Sequence, residues 1–129
     1  MKLALFILGV LFAAWCHAAP PAVISCYHAT VERVVDGDTV NLAVDLGLSV
    51  TTFISLRMED VMAPELRDKG GPEAKAALAK MLPEKAKVIV QPKARANGEP
   101  VRSFVRYVGR LWLPDGTDVC EAMRAKVNP

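Results

Sequence analysis

Apolar and polar positions along the chain change their period twice, and the changes mark out the elements. Residues 26–35 are rich in β-branched and aromatic side chains and predict a first strand. Asp36-Gly37 is a turn signal, and Val40, Leu42 and Val44 then alternate with polar neighbours through a second strand over 39–44. Leu46-Gly47 marks the next turn, and 49–58 reads as a third strand. The period then becomes helical. Gly70-Gly71 breaks the chain, Pro72 suits a first helical position, and Glu73 suits the positive end of a helix. Ala74, Ala77, Leu78, Met81 and Leu82 follow on one stripe, which Pro83 ends. Residues 87–91 and 101–113 return to strand pattern around a polar loop at Asn97-Gly98. After Asp115-Gly116, Thr117-Asp118 can cap a short helix running to about Ala125.

Three strands, a helix, two strands and a closing helix predict a mainly β, α+β domain. The best match is the OB-fold, a five-stranded Greek-key barrel with one helix between strands 3 and 4 and a short C-terminal helix. A split α+β sandwich is the alternative. Strand–helix alternation is too sparse for a doubly wound parallel sheet.

The N-terminus stands apart from this pattern. Lys2 precedes an unbroken apolar run over 3–14, and Cys16-His17-Ala18 resembles a small-x-small cleavage site. The run is short for the ~20 residues of a spanning helix. Residues 1–18 therefore read as an export signal, so the protein is expected to be secreted or periplasmic and to carry no membrane anchor after processing. Removing 18 of 129 residues leaves 111, enough for one domain. Residues 19–28 form the lead-in and the start of the first strand, and 29–127 the domain proper. With 52% apolar and 23% charged residues, a packed core is feasible and wholesale disorder is excluded. The processed chain keeps Cys26 and Cys120, an even number in an exported protein. A disulfide and two thiols that never meet both remain open.

The formal charge of +2 says little, but its distribution says more. Between Glu84 and Arg110, Lys85, Lys87, Lys93, Arg95, Arg102, Arg106 and Arg110 face only Glu84 and Glu99. Such an excess attracts polyanions, although a solvated strand face has the same look. Asp36-Gly37-Asp38-Thr39 puts two carboxylates in a tight turn. An isolated turn of this kind is more often a turn former than a site. Its functional reading gives Asp38 and the Thr39 hydroxyl as hard oxygen ligands for a divalent cation. Arg57 closes the third strand, and Glu65 follows the stiff Ala63-Pro64 step. A guanidinium fork suits a phosphate, and a nearby carboxylate suits activation of water.

The order of these segments is more informative than any one of them. DGDTV, a strand ending in Arg57, APEL, GPEAKAAL, a basic strand and LPDGTDV together resemble the staphylococcal-nuclease-like (thermonuclease) family. The resemblance covers nearly all of 29–127 and implies the OB-fold, reached independently from the strand count. It further implies a calcium-dependent phosphodiesterase acting on DNA or RNA. Asp38 matches the family's first calcium-ligating aspartate, Arg57 its first arginine, and Glu65 the glutamate taken as general base. For the second arginine, a gapless match of Trp112 to Gly116 with the family's hairpin favours Arg106 in the Phe104-Val105-Arg106 run. Gly109-Arg110 is the literal alternative, and Arg110, four residues along the same strand, would face the same side and assist. Lys93 and Arg95 are read as further substrate contacts.

Two departures from the family pattern weigh against full activity. Met62 stands where the family has its second calcium-ligating aspartate, and a thioether is a poor ligand for a hard cation. Asp60, two residues earlier, is the available substitute or else a solvated charge. The sequence also ends soon after its second helix begins. The expectation is an exported, monomeric nuclease of weakened activity. Its rivals are a degenerate OB-fold module that grips nucleic acid or other polyanions, and a purely structural domain.

Overall fold

The computed structural model describes residues 25–128; the export-signal reading of 1–18 and most of the lead-in lie outside the described residues. The elements are β1 (Tyr27–Val34), β2 (Thr39–Asp45), β3 (Thr51–Met58), α1 (Gly71–Met81), β4 (Lys87–Pro92), β5 (Arg102–Ser103), β6 (Arg106–Trp112) and α2 (Val119–Val127). Five strands pair in the order β3-β2-β1-β4-β6, and β6 returns to β3 in parallel register through Leu56↔Tyr107 and Met58↔Gly109. The result is a closed, mixed five-stranded barrel with two helices, of OB type. Strand alternation decides what fills it. Val31, Val40, Leu42, Leu56, Val90 and Leu111 point inward and are fully buried. Leu78 and Leu82 at α1, and Val119, Cys120 and Met123 of α2, join the same core. Burial of each large aliphatic side chain contributes roughly 1.5–3 kcal/mol.

β1 is the hinge of the barrel, pairing with β2 on one edge and β4 on the other. A register shift between Val31 and Arg33 places a bulge at Glu32, which bends the strand enough to serve both neighbours. No helix among the described residues is long and apolar enough to cross a membrane.

The segment 101–113, expected as one strand, is instead a tight hairpin. Ser103 pairs with Arg106, and Phe104-Val105 forms a two-residue turn with Phe104 at φ 56°. Aromatic and β-branched residues disguise a turn that Gly or Asn would have announced. The second helix runs to Val127, two residues past the expected end, with Asp118 as its cap, its carboxylate accepting from the Glu121 amide. Cys26 is exposed and Cys120 fully buried, and both are free thiols. Burial pushes the Cys120 thiol up to about 11.

Candidate functional site

The turn between β1 and β2 lies at the centre of the site. Val35 and Asp36 both donate backbone N–H to the Thr39 carbonyl, and the Asp38 amide donates to Asp36 Oδ1 at 3.0 Å. Gly37 has to be glycine here. A Cβ would stand 2.6 Å from the Ala74 Cβ of α1 and 2.7 Å from that of Ala63. The turn is thereby clamped between helix α1 and the Ala63-Pro64-Glu65 run. Asp38 at the end of the turn and Thr39 at the start of β2 are almost wholly buried, a costly place for a carboxylate.

Four side chains meet at this point. Thr39 Oγ1 donates to Asp38 Oδ1 at 2.9 Å and accepts from Arg106 Nη1 at 3.3 Å. Arg57 Nη2 reaches Asp38 Oδ2 at 3.5 Å. Register explains the meeting: Thr39 pairs with Arg57 across β2 and β3, and Arg57 pairs with Val108, two residues beyond Arg106 on β6. Three strands thus bring two guanidinium groups onto one buried Asp–Thr pair. Burial, first of all, holds the Asp38 carboxyl above the usual carboxylate range, and the neighbouring Asp36 carboxylate pushes it the same way; Thr39 and Arg57 pull against them.

The other residues singled out from sequence are distributed differently. Glu65 is exposed, and among the described residues its carboxylate has no hydrogen-bond partner. Its backbone is fixed. The Glu65 carbonyl accepts from Asp68 N at 2.8 Å and packs on Gly71, where any Cβ would overlap it. Glu65 therefore stands at the N-terminal end of α1, two residues beyond the Ala63 that touches the Asp38 turn.

Arg110 does not join Arg106. Its Nη2 is paired with Asp118 Oδ2, and its guanidinium lies 5.6 Å from the centre of the Trp112 ring. The Asp118 carboxylate holds Arg110 more firmly protonated than an ordinary arginine. Lys93 Nζ is bound to Glu59 Oε1 at 2.6 Å, and that carboxylate is the first cause raising the Lys93 ammonium. Arg95 is exposed in the β4–β5 loop, where its amide donates to the Glu99 carbonyl. Asp60 is exposed at φ 59°; its carbonyl accepts from Arg124 Nε and Asn128 Nδ2. Met62 is 73% exposed, and its amide donates to Asn128 Oδ1.

Sequence reasoning missed three partners: Asp36 beside Asp38, Asp118 on Arg110, and Glu59 on Lys93. Asp36 was visible as half of a turn. The other two carry no local signal, because strand pairing and helix docking bring them into contact. Among the described residues no three His, Cys, Asp or Glu side chains are grouped as a metal site. Compared with known proteins, the chain matches no family model and no curated sequence.

Proposed function

We propose that this protein is a metal-assisted phosphodiesterase acting on nucleic acid, with Arg57 and Arg106 as its phosphate clamp. The observation that carries the reading is the convergence of these two arginines, from different strands, on the buried Asp38–Thr39 pair. A buried carboxylate held against its own desolvation cost is the kind of strain that functional sites retain. In this reading Arg57 and Arg106 grip the non-bridging phosphate oxygens and stabilise charge that develops on them in the transition state. Glu65, exposed and unpaired among the described residues, takes the proton from the attacking water. Every contact named addresses phosphate, so little base preference is expected.

Among the described residues, the neighbouring Asp36 and Asp38 carboxylates are the ones that would hold a divalent cation beside the two arginines. The carboxylates' mutual repulsion, one of the causes that raise Asp38, is what such an ion relieves. Calcium bound there would supply Lewis-acid polarisation of the phosphoryl group. Met62 turns an exposed thioether outward and adds no oxygen ligand, and Asp60 is exposed, with its backbone tied through its carbonyl to Arg124 and Asn128 rather than to the Asp38 turn. Water would have to fill the remaining positions, which makes for weak affinity.

That deficiency favours a second reading, a binding module that holds polyanions without cleaving them. Hydrolysis of DNA and RNA by the purified protein, assayed with added calcium and then with chelator, separates the two. Chelator-sensitive cleavage supports the enzyme. Salt-dependent binding with no cleavage at saturating metal transfers the assignment to the binder.

A further inference from the structure

The first half of β3 is an open sheet edge. β2 pairs with the whole strand, from Thr51 to Arg57, whereas β6 pairs with it only over Leu56–Met58. The direction of each backbone group follows from the hairpin. Leu46 N donates to the Val50 carbonyl at 2.9 Å, so Thr52, Ile54 and Leu56 turn their N–H and C=O toward β2. Met58 N, bonded to the Asp38 carbonyl at 2.8 Å, continues the same alternation. Thr51 and Phe53 therefore direct both backbone groups away from the sheet. None of these four groups has a partner among the described residues.

Natural sheets blunt such edges with Lys, Pro, bulges or a covering segment. Here the stretch 51–54 reads Thr-Thr-Phe-Ile, without charge or proline. Apolar side chains face solvent within it and beside it: Phe53 is 73% exposed, Leu48 at the hairpin tip 99%, and Val50 51%. Leu48 holds a left-handed φ of 53°, so the tip presents a bulky apolar residue where glycine would be easier.

We propose that two copies of this protein pair through this edge, β3 against β3 in antiparallel register about a two-fold axis at Thr52. The register is set by the backbone. Centred at Thr52, each Thr51 lies opposite the Phe53 of the other copy, and these are the residues whose amides and carbonyls are free. Four N–H···O=C bonds form, two in each pair, and no existing bond is broken. The same register puts each exposed Phe53 ring beside the Thr51 methyl of the other copy and each Val50 opposite Ile54. Self-complementarity is what commits the edge to a second copy, because a closed two-fold contact consumes both edges and stops growth. The monomer expected from sequence is then the dilute form.

The pairing adds four backbone hydrogen bonds and few side-chain contacts, so association is weak, reversible and concentration-dependent. Sedimentation velocity of the protein as the cell produces it, from about 5 µM to 1 mM, measures this directly. Hydrogen exchange over the same range locates it. The Thr51 and Phe53 amides gain protection with concentration, while those of Thr52 and Ile54, already bonded to β2, do not. Phe53→Lys puts a charge on an exposed position and leaves the fold intact, weakening association by at least about tenfold. Thr51→Pro removes one outward N–H and acts the same way. A protein that stays monomeric at 1 mM overturns the proposal. So does a dimer whose Thr51 and Phe53 amides exchange at the monomer rate, or one that Phe53→Lys leaves unchanged.

Discussion

Thr39→Val is the sharpest structural perturbation of the candidate site. The side chain keeps its shape, loses one hydroxyl, and stays buried at a position that is 2% exposed. That hydroxyl joins Asp38 to Arg106, donating to one and accepting from the other. A hydrogen bond to a charged group contributes about 1.5–3 kcal/mol. Replacing the buried hydroxyl by a methyl returns up to about 0.8 kcal/mol of transfer free energy. The net loss is about 1–2 kcal/mol, which at a urea m-value of about 1.5 kcal/mol/M lowers the unfolding midpoint by about 1 M. Paired with Asp38→Asn, the same change should cost much less, since a bond between neutral groups contributes only about 0.5–1.5 kcal/mol. A double-mutant cycle in urea should thus give a coupling of about 1 kcal/mol. The Asp38 carboxyl, followed by carbon-13 NMR, should titrate at still higher pH once its donor is gone. An unchanged midpoint, or an equal loss in both backgrounds, refutes the idea that Thr39 holds the site together.

Three further outcomes follow from the same geometry. Because burial raises Asp38, the native state holds a proton that the unfolded chain releases; stability therefore falls as pH rises from the ordinary carboxylate value through the elevated one. Asp38→Asn should remove that slope and raise stability at pH 7 while abolishing any cleavage, as urea titrations across pH and a nuclease assay will reveal. Met62→Asp should tighten calcium binding at least about tenfold by calorimetry and increase cleavage, whereas Asp60→Asn should change neither by more than a few-fold. Cys26 should react with a thiol reagent in the native protein and Cys120 only after unfolding, since burial keeps the latter protonated well above neutral pH.

The sequence announces those parts of the fold that local chemistry determines. Asp36-Gly37, the Val40–Leu42–Val44 alternation and Pro72 with its apolar stripe each specify an element within a few residues. The Phe104-Val105 turn does not declare itself, because its residues favour strands and only the pairing of Ser103 with Arg106 imposes the bend. The same division runs through the site. Asp38 and Thr39 are legible as a motif, and the preference for Arg106 over Arg110, drawn in the sequence from the spacing to the Trp112–Gly116 hairpin, has its physical reason in strand register and in Asp118. Period-two spacing put both arginines on one side of β6, yet Asp118, brought in by the docking of α2, captures Arg110. Lys93, read as a substrate contact, is likewise bound to Glu59, which follows β3 in the chain. Long-range partners of this kind have no signature in the residues that flank them.

In the proposed function Arg57 and Arg106, not Arg110, address the scissile phosphate. Steady-state cleavage of single-stranded DNA at saturating calcium, compared among the wild type, Arg106→Lys and Arg110→Lys, tests it most directly. Loss of one transition-state contact of this type costs on the order of 10²–10³ in rate. Arg106→Lys should fall by that factor, while Arg110→Lys should stay within a few-fold of wild type. An inactive Arg110→Lys beside a normal Arg106→Lys, with both variants folded, would contradict the account.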